Sequence, residues 1–314
     1  MSRPTPATAR ASILRGAAVG ATAAILGACG IGDPTASPPT PSGRPTVADA
    51  PTSPAWPSPS RQPSPSPSPT RAAGATEPAE QDVQQRPDWL GTRVLPLRPD
   101  GLGEVQPTPP ELVDRRLPPP DPRPAPEPFD ASVEAVPDDV LARSTWTDDC
   151  PVPLDELRYL TLTFWGFDEQ PHLGEMIVHE SVTDDLIAVF NRLYDARFPI
   201  EEMRVVAEPE LDAPPTGDGN NTTAFVCRPA RGASSWSQHA YGLAVDVNPF
   251  HNPYHRGDAV IPELASAYLD RSRDLPGMIK AGDAVTEAFA SIAWGWGGDW
   301  RSTKDWMHFS RSGR

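Results

Sequence analysis

The feature that most constrains this sequence is the uneven distribution of its prolines. The chain has 42 prolines among 314 residues, and most of them lie before residue 154. Segments rich in proline, serine, threonine and alanine bury too little apolar surface to offset the conformational entropy that folding removes. We therefore predict a single globular domain over residues 146–314, which is an ordinary size for one hydrophobic core.

The N-terminal residues have the pattern of an export signal. Basic residues precede an apolar run at 17–28 that is short for a membrane span. The run ends in Leu-Gly-Ala followed by Cys29, which resembles the lipobox of bacterial lipoproteins. This resemblance implies that residues 1–29 are a lipoprotein signal peptide and that a lipid on Cys29 anchors the protein to the outer face of the cell membrane. An ordinary cleaved signal peptide with an incidental cysteine is the alternative.

Two further segments precede the predicted domain. Residues 30–87 contain Pro-Ser repeats, which predict a disordered, extended tether. Residues 88–145 are less repetitive, and we expect a semi-ordered lead-in. Within it, residues 89–95 are a candidate for a short strand or a docking arm.

Net charge and cysteine content limit the partners and the cellular compartment that we expect for the protein. The formal charge is -15, which argues against nucleic acid as a partner because binding phosphates requires a basic face. Apart from Cys29, the cysteines are Cys150 and Cys227. An even pair in an exported chain predicts a disulfide, with two buried free thiols as the alternative. A monomer is the default expectation.

Regular secondary structure becomes legible from residue 157 onward. Alternating β-branched and aromatic residues predict a strand at 157–165, and a second strand is predicted at 175–179. A capping-box-like sequence at 181–184 predicts a helix that runs to about Arg197. Further strands are predicted at 203–206 and 242–247, and a helix is predicted to start at Asp283. This mixture indicates an α+β fold, with a small antiparallel sheet covered by helices.

Two clusters combine histidine with carboxylate. In the first, His239 lies in a turn before a strand whose apolar run ends at Asp246. In the second, His308 follows Asp305 and a tryptophan-rich segment at 294–300. Two histidines and one carboxylate form a complete protein ligand set for a catalytic zinc, with the fourth position open to water. Asp305 can lie near such a metal without binding it, as a general base.

The spacing of these residues resembles a known enzyme family. The pattern Ser-x-His-x-x-Gly-x-Ala-x-Asp, followed at a distance by Asp-x-x-His, is similar to VanY-type D-alanyl-D-alanine carboxypeptidases and L-alanyl-D-glutamate peptidases. Both belong to the LAS zinc peptidases, which cleave peptidoglycan stem peptides. The resemblance covers roughly residues 150–314, and the pattern is met by Ser237, His239, Gly242, Ala244, Asp246, Asp305 and His308.

The resemblance implies a fold, a cofactor and a set of roles. The fold would be that of hedgehog and DD-peptidase domains, and Zn²⁺ would be held by His239, Asp246 and His308. Asp305 would be the catalytic acid and base. Arg228 is the nearest match to the family's substrate-binding arginine, which stabilises an oxyanion or binds a substrate carboxylate. Ser237 would contribute a hydrogen bond to the substrate.

Two functional alternatives remain beside a D-alanyl-D-alanine carboxypeptidase. Aspartate at position 305 also occurs in the endolysin-like branch, so an L-alanyl-D-glutamate-type endopeptidase of the cell wall is one of them. A non-catalytic wall-binding lipoprotein with a peptidase fold is the second, although the presence of Asp305 speaks against it. A serine hydrolase built on Ser237 and His239 is set aside, because the segment lacks both an orienting third group and a nucleophile elbow.

The remaining histidines are not assigned to the metal site. His251 and His255 lie in a loop beyond Asp246 and are predicted at the rim or surface of the domain. His172 and His179 belong to no carboxylate motif and are expected to be structural or to line the substrate site.

Overall fold

The computed structural model describes residues 83–314. The predicted signal peptide at 1–29, with Cys29, and most of the predicted tether at 30–87 lie outside these residues. Within residues 83–314, none of the helices combines the length and the apolar character that crossing a membrane requires.

Short elements dominate the described part of the chain. Its α-helices are α1 (Asp138–Ala142), α2 (Thr183–Asp195) and α3 (Ala284–Ser291). Its strands are β1 (Ala131–Ala135), β2 (Leu157–Trp165), β3 (Pro171–His179), β4 (Glu202–Met203), β5 (Asn221–Thr222), β6 (Ala244–Asp246), β7 (Tyr254–Arg256), β8 (Ala259–Ile261), β9 (Gly295–Trp296), β10 (Lys304–Asp305) and β11 (His308–Ser310).

The strands are divided among several small sheets. Three antiparallel sheets have the strand orders β1-β2-β3, β6-β11-β9 and β10-β7-β8, and β4 pairs with β5 in parallel. The predicted mixture of helices with small antiparallel strands is confirmed, but the prediction of one sheet is wrong. From β4 onward each strand has only two or three residues, and loops carry the chain away before a wider sheet can form. The likeness to hedgehog domains stays a prediction.

Helix α2 covers the sheet that contains the two longest strands. Its buried side chains recur at helical spacing and include Leu186, Val189, Phe190 and Leu193. A 3₁₀ turn at Glu180–Val182 precedes the helix, and the His179 side chain caps that turn by accepting a hydrogen bond from the Ser181 amide. The helix start is therefore prepared by His179, not by the capping box predicted at 181–184.

The main hydrophobic core reaches the sheet that contains β6 and β11. Phe309 of β11 is fully buried and stacks on Phe289 of α3, with ring centroids 4.0 Å apart. On the neighbouring strand, Val245 lies directly opposite Phe309 and is also fully buried. Since both strands have one face in the core, their register is strongly specified.

Residues from the lead-in at 88–145 pack against the rest of the described chain. Strand β1 pairs with β2, and Leu112 and Leu117 are buried in a cluster with Phe250 and Tyr268. The segment at 89–95 forms turns and then places Leu95 in the same cluster, so it is a docking arm and not a strand. The domain boundaries drawn from the sequence remain predictions.

A buried ion pair adds to this packing. Both oxygens of Glu201 accept hydrogen bonds from Arg115, each at 2.7 Å, and one of them also accepts from the Asn220 amide. Burial alone would raise the pKa of Glu201, but the Arg115 guanidinium holds it below its usual range. Breaking one side of such a pair would leave an uncompensated buried charge.

Replacing Gly242 tests how tightly the turn that carries His239 is packed. Gly242 has a φ of 65°, and a Cβ atom there would lie 2.5 Å from the backbone nitrogen of His179. We expect Gly242→Ala to lower the free energy of unfolding by about 3 kcal/mol or more, from left-handed strain and overpacking together. Urea unfolding of the metal-free protein measures the loss.

Gly257→Ala is the matched control for this prediction. Gly257 has a similar φ of 56°, but nothing lies within 4 Å of its added Cβ. It should therefore lose only the conformational part, about 1–2 kcal/mol. Equal losses for the two variants would show that the close contact with the His179 backbone is unimportant.

Candidate metal centre

Local structure explains the positions of the three predicted ligands. His239 lies in the 3₁₀ turn Gln238–Tyr241, and Ser237 caps this turn by accepting a hydrogen bond from the His239 amide at 3.3 Å. Asp246 ends β6 and His308 begins β11. These two residues lie directly opposite each other in the antiparallel pair.

The donor atoms of the three side chains form a nearly equilateral triangle. Its sides are 3.2 Å from His239 Nε2 to Asp246 Oδ1, 3.1 Å from Asp246 Oδ1 to His308 Nδ1, and 3.2 Å between the two histidine nitrogens. In a tetrahedral zinc site with bonds of about 2.0–2.1 Å, neighbouring donors are roughly 3.3 Å apart. The triangle therefore has the size of one face of such a site.

Backbone carbonyls select the histidine tautomers that metal binding requires. His239 Nδ1 lies 2.6 Å from the Ala224 carbonyl oxygen, and His308 Nε2 lies 3.2 Å from the Arg314 carbonyl oxygen. Each of these nitrogens can donate its proton to the carbonyl, which leaves the other ring nitrogen free to coordinate. Metal-binding histidines are commonly oriented in this way, so the residues present fit a divalent cation such as zinc.

Electrostatic coupling within the cluster is strong. Burial alone would raise the pKa of Asp246, but the adjacent His239 and His308 hold it far below its usual range. Burial alone would lower the pKa of His308, whereas hydrogen bonding to Asp246 raises it above its ordinary value. Asp246 is therefore ionised at neutral pH and available as a metal ligand.

Asp305 differs from Asp246 in accepting no hydrogen bond from a histidine among the described residues. It lies in β10 opposite Tyr254, and its Oδ1 atom is buried without a hydrogen-bond partner among residues 83–314. Burial and the nearby Asp246 carboxylate raise the pKa of Asp305 to about 7. A carboxyl group with a pKa near neutrality can both accept and donate a proton, as a general acid-base catalyst must.

One open cleft of about 550 Å³ is lined by all the predicted metal-ligating, catalytic and substrate-binding residues of the domain. Arg228, Ser237 and Asp305 line it together with the three candidate ligands. Burial and the neighbouring Arg231 lower the pKa of Arg228, which remains a cation at neutral pH. The structure therefore brings these residues together, while their roles stay predictions.

Several residues outside the predicted metal-ligating, catalytic and substrate-binding set complete the cleft. The wall also includes Tyr254, Ile261, Arg231, Trp236, Trp300 and Met307. Trp300 belongs to the tryptophan-rich segment before His308 and lies beside it, with ring centroids 5.6 Å apart. The tryptophan-rich segment is therefore a sequence signal for the wall of the cleft. Arg231 and Trp236, by contrast, lie in an irregular loop whose course no periodic pattern predicts, so sequence reasoning missed them.

The two cysteines of the described chain form the predicted disulfide. Cys150 and Cys227 are joined, with their Cα atoms 5.9 Å apart. Because Cys227 directly precedes Arg228, the cross-link is attached next to the cleft.

The prediction for His251 is wrong, whereas His255 is half-buried at the edge of the domain. His251 is fully buried, hydrogen-bonded to the Arg115 carbonyl at 2.9 Å and stacked on Phe167. The lead-in covers it, which the local sequence around His251 cannot reveal. The side chains of His172 and His179 contact Asp168 and Glu156, respectively, and neither belongs to the cluster of His239, Asp246 and His308.

The C-terminal segment is similar to a known family of peptidases, whose family model matches residues 231–311. The family is described as D-alanyl-D-alanine carboxypeptidase. The resemblance predicted from the motifs is thereby confirmed over a segment that contains the three candidate ligands and Asp305 but not Arg228. No curated protein and no solved structure matches the chain.

The raised pKa of Asp305 predicts a pH-dependent stability difference. Its folded pKa of about 7 exceeds the ordinary value of about 3.9, so ionisation destabilises the metal-free protein as pH rises from 4 through 7. At pH 8, metal-free Asp305→Asn should be more stable than the parent by roughly 1–3 kcal/mol, after allowance for solvent in the cleft. This advantage should vanish near pH 4, as thermal melts in chelator would measure.

The exposed Asp299 provides the control for that measurement. Asp299→Asn lies in the same part of the chain and should leave the pH profile of stability unchanged. A constant difference between Asp305→Asn and the parent from pH 4 to pH 8 would contradict the assigned pKa.

Proposed function

We propose that this chain is a zinc-dependent peptidase that removes the terminal D-alanine from peptidoglycan stem peptides. The observation that carries the proposal is the triangle of His239, Asp246 and His308 donors, with Asp305 in the same cleft, where its Oδ1 atom has no hydrogen-bond partner among the described residues. The family match over residues 231–311 supports a peptide substrate of this kind.

In the proposed chemistry, three side chains hold the metal and Asp305 transfers the proton. His239 Nε2, Asp246 Oδ1 and His308 Nδ1 would hold the zinc. When bound, zinc supplies Lewis acidity and lowers the pKa of water. Asp305 accepts a proton from the attacking water and later donates it to the amine of the departing D-alanine.

Arg228 and Ser237 are assigned to substrate binding. In the part of the chain that the structure describes, Arg228 has no carboxylate partner, so its guanidinium is available for the C-terminal carboxylate of a peptide. Ser237 Oγ already accepts a hydrogen bond from the His239 amide, which leaves its hydroxyl proton for the substrate.

A second candidate function follows from the size of the cleft. At about 550 Å³, with Trp236 and Trp300 in its walls, it has room for more than a dipeptide. An L-alanyl-D-glutamate-type endopeptidase would use this space for residues on both sides of the cut. Mass spectrometry of muropeptides incubated with the zinc-loaded protein distinguishes the two, because only the carboxypeptidase releases free D-alanine. Binding without cleavage would favour the third candidate, a non-catalytic wall-binding lipoprotein.

The proposal includes a place of action. A lipid on Cys29 and the segment at 30–87 would hold a monomeric, hedgehog-like catalytic domain near the outer face of the bacterial cell membrane, within reach of the wall. Nucleic acid is not a proposed partner, given the net charge of -15.

Two substitutions separate metal binding from proton transfer. His308→Ala should lose both zinc and D-alanine release, because it removes a ligand. Asp305→Asn should keep one zinc per chain, yet lose at least about 100-fold in kcat, because it removes the proton acceptor. Zinc content by mass spectrometry and D-alanine release measure the two properties. An active, zinc-loaded Asp305→Asn protein would refute the assigned acid-base role.

Arg228→Gln tests substrate binding. We expect KM for a peptide ending in D-alanyl-D-alanine to rise about 10–100-fold, the usual loss for a charged hydrogen-bonded pair, while zinc content stays unchanged. Arg256→Gln removes an exposed arginine of β7 that does not line the cleft. This control should behave like the parent, and a similar KM for both variants would remove Arg228 from the site.

A further inference from the structure

The disulfide lies unusually close to the predicted substrate-binding arginine. Cys227 is bonded to Cys150, and the next residue in the chain is Arg228. The cross-link joins residues 77 positions apart, so it ties the wall of the cleft to a distant part of the domain. Nothing in the proposed chemistry uses this bond.

The loop that carries Arg228 is held mainly to itself. The Ser237 amide donates to the Arg228 carbonyl at 3.2 Å, and Pro229 forms a bridge with Trp236. The only side-chain hydrogen bond of Arg228 to another described residue is a 3.2 Å contact with the adjacent Pro229 carbonyl. The Arg228 side chain therefore gains no hold on the rest of the domain from these contacts.

Cys227, by contrast, is attached to the packed interior. Its amide donates to Thr145 Oγ1 at 2.9 Å, and both half-cystines pack with Trp146 against a buried cluster that includes Phe225. The disulfide thus connects the start of the loop to a packed part of the domain. One peptide unit separates that anchor from Arg228.

The attachment of the loop to the disulfide would hold Arg228 in place before the substrate binds. Ordering a long side chain and its loop on binding costs conformational entropy, and a cross-link that holds the loop beforehand reduces that cost. Paired hydrogen bonds between guanidinium and carboxylate also need a defined orientation. A free loop would keep the Arg228 charge but lose its alignment.

We infer that Cys150, through its disulfide to Cys227, is a positioning residue that aligns Arg228 for the C-terminal carboxylate of the substrate. The inference rests on the proposed function in assigning a peptide carboxylate to Arg228. It adds that binding strength depends on the oxidation state of this pair, whereas metal binding does not.

A thermodynamic cycle tests the inference without depending on turnover. Four zinc-loaded proteins are compared, all with Asp305→Asn so that the ligand stays intact. They are the parent, Arg228→Gln, Cys150→Ser with Cys227→Ser, and the combination of all these changes. The ligand is an acylated tripeptide ending in D-alanyl-D-alanine, and titration calorimetry gives Kd.

The expected result is a non-additive cycle. Removing the disulfide should weaken binding about threefold to tenfold when Arg228 is present, as expected for lost preorganisation, and should have no further effect after Arg228→Gln. Zinc content should remain one per chain throughout. A purely structural disulfide would lower the melting temperature without this coupling.

Two results would overturn the inference: an equal loss of affinity in both backgrounds, or no loss in either. Undetectable binding by the Asp305→Asn protein that retains both Arg228 and the disulfide would also overturn the inference, since Arg228 would then hold no carboxylate. Because the cycle measures binding, it can succeed even where the wild-type protein releases no D-alanine, a result that would refute only the proposed function.

Chemical reduction provides the same comparison if the serine variants do not fold. A water-soluble trialkylphosphine reduces the folded Asp305→Asn protein and its Arg228→Gln derivative. Phosphine, water and the disulfide yield phosphine oxide and two thiols, so electrons and protons balance. The Kd should rise threefold to tenfold only in the protein that retains Arg228, and an equal rise in both contradicts the inference.

Discussion

The antiparallel pairing of β6 with β11 is the constraint on which the site depends. It brings Asp246 and His308 face to face although 62 residues separate them in the chain. The same register places Val245 opposite Phe309 in the core. A slip of one residue would turn the core side chains outward and separate the ligands. Hydrophobic packing therefore sets the geometry of a polar cluster.

The cluster itself is poorly balanced without a cation. Two carboxylates, Asp246 and Asp305, lie close enough to influence each other's ionisation, and only Asp246 is stabilised by hydrogen bonds from histidine. A divalent ion would offset the repulsion between these two carboxylates, because both would interact favourably with its positive charge. The arrangement that costs stability in the metal-free protein is the one that suits metal-assisted hydrolysis, as is common at functional sites.

Much of the site could be predicted from the sequence because its signals are local. His239, Gly242 and Asp246 lie within one short turn and strand, and Asp305 precedes His308 by three residues. Strand β2 is likewise marked by its own alternation and has the predicted bounds. In each case the information that determines the structure lies within about ten neighbouring residues.

The features that escaped prediction are long-range. His251 is buried because Arg115, 136 residues away, lies against it, and the lead-in joins the core through pairs such as Arg115 with Glu201. The division into several sheets depends on loop paths, which have no periodicity. Arg231 faces the cleft only because of how its loop folds. Such contacts are set by the whole chain, so no local pattern contains them.

The disulfide also has a consequence for when the protein acquires its full affinity. Thiols are kept reduced in the bacterial cytoplasm and are oxidised after export. If the chain is exported as proposed and Cys150 and Cys227 align Arg228 as inferred, a newly made chain that has not yet crossed the membrane would hold D-alanyl-D-alanine peptides only loosely. On this proposal, the pool of wall precursors inside the cell would be spared by the same bond that strengthens substrate binding after export.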